Sequence, residues 1–197
     1  MSQSAGASEA PRSNLDRPLP KPTELNESLY ALLFAEVVRY SYQNVEQVSD
    51  LEVKLSKLGF DIGWRTLELV ASREKNEKRE LRVVHALQHV TGSCWTALFG
   101  RPTDALERST AGQNTYLIHE KDPLPCRYAS VPKDLGSLNL AAFNAGVIQG
   151  LLTGQGYDCK VTAHFAQDKS GQQKVVYVVE FEPYVMEREA RLVRSLG

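Results

Sequence analysis

The segment LYALLFAEVVRYSY does not place its apolar side chains in a single stripe. Leu29, Leu32, Leu33, Phe34, Val37, Val38 and Tyr40 spread around far more of a helix than one core can cover. A helix packed on one core needs only about a third of its circumference apolar, so the surplus predicts a second covering surface. That surface is either another molecule, with Leu29, Leu33, Phe34, Val37 and Tyr40 as the contact residues, or the rest of the same domain. Asn26 stands at the N-cap position of this helix. Further on, Ser49 with Glu52 reads as a capping box opening the helix DLEVKLSKL. Gly59 suits a left-handed C-cap, and Asp61 can then cap a following helix through Trp64, Leu67 and Val70. The stretch from Arg73 to Arg82 mixes charge signs, which predicts a solvated loop and helix start. From Leu81 onward, Val84, Leu87, Thr91, Cys94, Trp95 and Leu98 step at helical spacing to a stop at Gly100-Arg101-Pro102.

The period then changes. Thr115–Glu120 and Arg127–Val131 read as short strands around the turn at Pro123 and Pro125. No charged residue occurs between Asp134 and Asp158, and the apolar centre of that run predicts a buried helix over about Leu138–Thr153. Its glycines, asparagines and glutamines make it a poor membrane span. Beyond Gly156, Cys159, Val161, Ala163 and Phe165 alternate with Lys160, Thr162 and His164, as in a half-buried strand. The turn QDKSGQQ joins that strand to KVVYVVEF as a hairpin, and EREARLVR after Pro183 reads as a terminal helix. The order of elements predicts an α+β fold with helices packed on one face of a small, mainly antiparallel sheet.

Composition narrows the picture. A chain of 197 residues, 42% hydrophobic, supports one substantial core. We therefore expect a single domain over residues 26–197. Residues 1–25 carry Pro11, Pro18, Pro20 and Pro22 among small and charged residues, which predicts a disordered extension. Basic and acidic residues number 23 and 24, with no long run of one sign, so nucleic acid is not the expected partner. The N-terminus lacks a basic segment leading into an apolar run, and Cys94, Cys126 and Cys159 are an odd number at wide spacings. Both point to unpaired thiols in a cytoplasmic protein.

The candidate chemistry is thin. GSCW at Gly92–Trp95 is like the surroundings of a papain-type nucleophile, but Thr91 replaces that signature's first cysteine, and too few residues follow for its partners. His85 and His89 are spaced to share a zinc ion on a helix face, yet the glutamate of HExxH and a third ligand are missing. Asn26-Glu27-Ser28 matches a glycosylation sequon, and reads better as the helix cap. No phosphate-cradling or serine-elbow motif is present. Neither an enzyme nor a cofactor is expected. A binder of a small ligand or acyl chain is the alternative, on the strength of the uncharged Gly136–Tyr157 run.

LGFDIGWRTLE (Leu58–Glu68), a charged break, and a helix ending WTALFG resemble a pattern in the α/β subunits of TRAPP, the transport protein particle that tethers vesicles. SLYALLFAEVVRY, ASREKNEKRELRVVHAL, YASVPKDLGSLNLAAFNAGVIQGLLTGQGY and KVTAHF extend the likeness over roughly residues 27–190 in one register. The resemblance implies that the chain pairs with the particle's central α/β subunit through its first two helices and holds a sedlin-type longin subunit on the other side. It also implies a scaffold role in nucleotide exchange on a Rab GTPase of the Ypt/Rab-one class, between ER and Golgi, with peripheral localisation at those membranes and the exchange surface built mainly by other subunits. The family's central subunit carries an acylated cysteine at a place that falls at about Arg79 here. No cysteine occurs between Gly59 and Leu81, so the lipid is not carried over. Within LGFDIGWR, we expect Gly59 to serve a tight helix junction, Phe60 and Ile62 the core, and Gly63 close packing. Arg65 pairs with a carboxylate either inside the domain or across an interface.

Overall fold

The computed structural model describes residues 25–74, 81–110, 112–129, 131, 135–136, 138–167 and 171–196. The expected extension lies outside them, apart from Leu25, as does Arg79. The first helix, α1 (Glu27–Tyr42), begins as expected: Asn26 is extended, and its side chain accepts from the Ser28 amide at 2.9 Å.

The next helix departs from expectation. There is no junction at Gly59; one helix, α2 (Val48–Arg73), runs straight through it. Gly59 and Asp61 are interior positions, and the glycine read as a terminator is a packing surface instead. The capping box is also absent. Gln47 is the N-cap, Ser49 lies inside the first turn, and Glu52 Oε1 accepts from the Asn139 amide at 2.7 Å.

The helical pattern from Leu81 resolves into α3 (Val83–His89), a π-helical turn (Val90–Cys94) and α4 (Trp95–Phe99). Gly100 ends it at the stop read from the sequence, as a left-handed C-cap with φ of 75°. Two strands follow, β1 (Ala105–Arg108) and β2 (Thr115–Glu120). The strand expected at Arg127–Val131 does not form among the described residues. Pro123 instead starts a single helical turn, α5 (Leu124–Arg127), with the Arg127 amide donating to the Pro123 carbonyl at 3.1 Å. The buried helix is α6 (Ala142–Gly154), the hairpin is β3 (Cys159–Gln167) with β4 (Gln173–Phe181), and α7 (Pro183–Leu196) is last.

The four strands form one antiparallel sheet in the order β1-β2-β4-β3. Along β4, Val175, Tyr177, Val179 and Phe181 are buried; on β3, Lys160 and His164, on the opposite face, are exposed. The fold is therefore α+β with one sheet face covered. α6 lies on that face and α2 lies across α6. Leu51, Leu55, Trp95, Ile118, Ile148, Leu151 and Tyr177 fill the layer. α7 is tied back to α3 by Glu189, which accepts from Arg82 Nε at 2.5 Å and from the Val83 amide at 3.1 Å. The carboxylate thereby satisfies an orphan donor at the start of α3.

Candidate partner interface

α1 is apolar on two opposite sides. One side bears Tyr30, Phe34, Val37 and Val38, which are buried or half-buried. Phe34 is 7% exposed, meets the Phe143 ring edge-on at 5.3 Å between centroids, and stacks on Tyr30 at 5.9 Å. The other side bears Leu29, Leu32, Leu33 and Tyr40, at helical spacings that align them along one face. Leu32 is 72% and Tyr40 69% exposed. Glu36, at the same helical spacing, lies on this face and pairs with Arg39 at its edge at 2.6 Å. The residues read from the sequence as one interface therefore divide. Leu29, Leu33 and Tyr40 face solvent, whereas Phe34 and Val37 turn toward the chain's own core. Exposed Val53 and Trp64 add apolar surface on α2.

The start of α1 is held by charge. Glu27 accepts from the Tyr128 hydroxyl at 2.6 Å and from Arg127 Nη1 at 3.0 Å, and Arg127 Nε donates to Asp122 at 2.7 Å. These bonds, that of Tyr128 first, hold the Glu27 carboxyl below its ordinary value. This clamp gives no sequence signal, because Tyr128 and Arg127 lie about a hundred positions from Glu27.

α2 is held quite differently. A Cβ on Gly59 or Gly63 would collide with the carbonyl oxygens of Phe143 and Val147 on α6. On α6, a Cβ on Gly146 or Gly150 would collide with the Ser56 and Phe60 carbonyls on α2. The two helices thus meet backbone to backbone over more than a turn. Phe60 is half-buried and lies 6.2 Å from the Trp64 ring. Arg65 is exposed and pairs with no carboxylate among the described residues.

The thiol with catalytic-looking neighbours is not an activated one. Cys94 is fully buried, with Sγ 3.7 Å from His89 Nδ1, while His89 Nε2 lies 3.3 Å from Glu74. The order Cys–His–Glu is that of a thiol protease, but burial pushes the Cys94 thiol up to about 12, the opposite of an activated nucleophile. Burial does the same to Cys126 and Cys159. Among the described residues, no group of three His, Cys, Asp or Glu side chains could hold a metal. No described helix is long and apolar enough to cross a membrane.

One polar cluster escaped the sequence reading. Glu120, 2% exposed, accepts from Tyr177 Oη at 2.7 Å, from Trp95 Nε1 at 3.3 Å and from Asn144 Nδ2 at 3.3 Å. Burial raises its carboxyl above the ordinary range, against the opposing pull of these donors.

Comparison with known proteins agrees with this architecture. Residues 30–182 match the family model described as transport protein particle (TRAPP) component. A "Trafficking protein particle complex subunit 5" of Dictyostelium discoideum is 41% identical over 93% of this chain and 100% of its own length. The subunit of that name in Homo sapiens is 38% identical over 90% of this chain and 92% of its own. Among solved structures, a subunit 3 from Naegleria fowleri, covalently bound to palmitic acid, shares the fold with a TM-score of 0.62. It is 16% identical and covers 79% of this chain and 95% of its own. A family match that spans most of the folded region, together with relatives matched along nearly their whole length, places this chain in the TRAPP component family.

Proposed function

We propose that this chain is a non-catalytic scaffold subunit of the TRAPP vesicle-tethering complex. It pairs with the central α/β subunit through the outer face of α1 and the adjoining surface of α2, and holds a sedlin-type longin subunit elsewhere. Through the assembly it serves Rab nucleotide exchange in ER-to-Golgi traffic, and it reaches Golgi and ER–Golgi membranes as a peripheral component. The observation that carries the reading is the two-sided α1. Leu29, Leu32, Leu33 and Tyr40 form an apolar face on a helix whose other face is already seated on the core. Aromatic and aliphatic side chains grouped in this way are what a stable protein interface buries at its centre. Cys94 and Cys159 are buried and Cys126 is half-buried, and burial raises all three thiols, which favours a binding role over a thiol-based catalytic one.

Co-expression with a TRAPP central α/β subunit, followed by mass measurement, tests the pairing. A one-to-one complex that is lost in Leu33→Asp, with the variant still folded, is the expected result. A wild-type chain that stays monomeric beside both named partners would sink the reading.

A further inference from the structure

The charged residues of α1 are Glu27, Glu36 and Arg39, and they serve different ends. Glu27 is spent on the clamp to Tyr128 and Arg127. Glu36 and Arg39 belong to the outward side. At about 100° per residue, Glu36 falls within about 20° of the mean direction of Leu29, Leu32, Leu33 and Tyr40. A carboxylate therefore stands near the middle of the apolar face, and the middle of a protein contact is the part from which water is most fully excluded. Arg39 lies about 80° to one side, next to the direction of Leu32.

Arg39 reaches back one turn and grips both carboxylate oxygens. Nε donates to Glu36 Oε2 at 2.9 Å, and Nη2 donates to Oε1 at 2.6 Å. This is the parallel fork in which a guanidinium and a carboxylate fit best. Among the described residues, no other ion pair or hydrogen bond ties either side chain to the rest of the chain. The two side chains are 67% and 59% exposed, so in water the pair contributes little to the fold. Its consequence begins when water is excluded. A lone carboxylate or a lone guanidinium buried in a contact carries a heavy desolvation cost. Held by its own helix, Glu36 enters the contact already neutralised and needs no cation from across it.

We propose that Glu36 and Arg39 form a preassembled neutral pair, buried as a unit when α1 meets its partner, and that the partner surface facing the pair is apolar and uncharged. Neutral acceptors there, such as backbone carbonyl or hydroxyl oxygens, serve the guanidinium hydrogens that Glu36 leaves free. A lysine or arginine set against Glu36 would compete with Arg39 and leave a net positive charge in the contact. A carboxylate set against Arg39 would leave a net negative one. The pair thus selects by exclusion, rejecting surfaces of either sign. Its role rests on α1 being the pairing face proposed above, and adds what the opposite surface must lack.

The test uses the full chain co-expressed with a TRAPP central α/β subunit, as wild type, Glu36→Gln, Arg39→Gln and the double variant. Purified complexes are diluted at low and high salt and followed by mass measurement. Each single substitution strands one charge in the contact, so Kd should rise by about tenfold or more. The double variant strands none and should bind more tightly than either single one. The wild-type Kd should change by less than about threefold between about 0.05 M and about 0.5 M NaCl. Both side chains are exposed in the free chain, so every variant should keep its thermal midpoint within about 2 °C of wild type, which separates lost pairing from lost folding. Three results would overturn the proposal: single variants that pair as well as wild type, a loss in the double variant equal to the product of the two single losses, or a wild-type complex that loosens by about tenfold or more with salt, the mark of a cation across the contact. A wild-type chain that forms no complex at any salt would remove the pairing itself, and the role of the ion pair with it.

Discussion

α1 and α2 are neighbours in sequence, and both are rich in apolar residues, yet they are attached by opposite means. α2 meets α6 through Gly59 and Gly63 on one side and Gly146 and Gly150 on the other, with carbonyl oxygens lying where side chains would otherwise be. α1 keeps its bulky residues and divides them, Phe34 to the core and Leu29, Leu32, Leu33 and Tyr40 to solvent. A surface that is complete can afford to lose side chains, because backbone contact replaces them. A surface awaiting a partner keeps large side chains exposed, since shape and apolar area are what it offers.

Substitutions can break or sharpen this contrast. Gly146→Val should have the largest effect on the fold, because its Cβ has no space against the Ser56 carbonyl. Overpacking of a tight contact costs about 3 kcal/mol, a drop of roughly 6–12 °C in Tm for a domain of this size, read by calorimetry. A thermal midpoint equal to wild type would show that α2 and α6 can separate freely. Leu33→Asp should leave stability within about 0.5 kcal/mol. The same change should weaken pairing by about 2 kcal/mol or more, roughly thirtyfold in Kd, if Leu33 lies near the interface centre. Equal loss in both measurements would mean that the face serves the fold. Asn26→Ala should cost about 1 kcal/mol through the lost cap and loosen the first turn of α1, seen as faster amide exchange there. If exchange in α2 quickened as much, the two helices would not be independent.

The sequence revealed elements that announce themselves locally, and it misled where tertiary contact decides. Asn26, the Gly100 stop, the uncharged α6 and the β3–β4 hairpin carry their own signals in caps, period and turns. Gly59 misled because a glycine two positions before an aspartate looks the same whether it ends a helix or admits another backbone. β1 is only four residues long and half-exposed at best, too short to show a period. Arg127–Val131 looked extended by composition, but Pro123 fixes the start of a helical turn, and Arg127 is drawn toward Glu27 and Asp122. The outer part of the α1 face was legible as surplus apolar residues. That Phe34 and Val37 belong to the other side was not, because periodicity gives relative angles around a helix and not which direction faces inward. Glu120 was invisible for a related reason: a single glutamate at a strand end reads as solvent-facing until the strand is placed.

The π turn at Val90–Cys94 works as a one-residue insertion in an otherwise regular helix. It resets the angular phase, so that Trp95 arrives fully buried beside Tyr177 and Glu120, while the Thr91 carbonyl is left to accept from the Thr103 amide at 3.0 Å. Were the same residues wound as ordinary α-helix, with no π turn, everything beyond it would be rotated by about 100°. The indole would swing out of the interior, and the chain would lose at one stroke its largest buried ring and a donor to its buried acid. One extra residue in a single turn therefore fixes where the biggest side chain points.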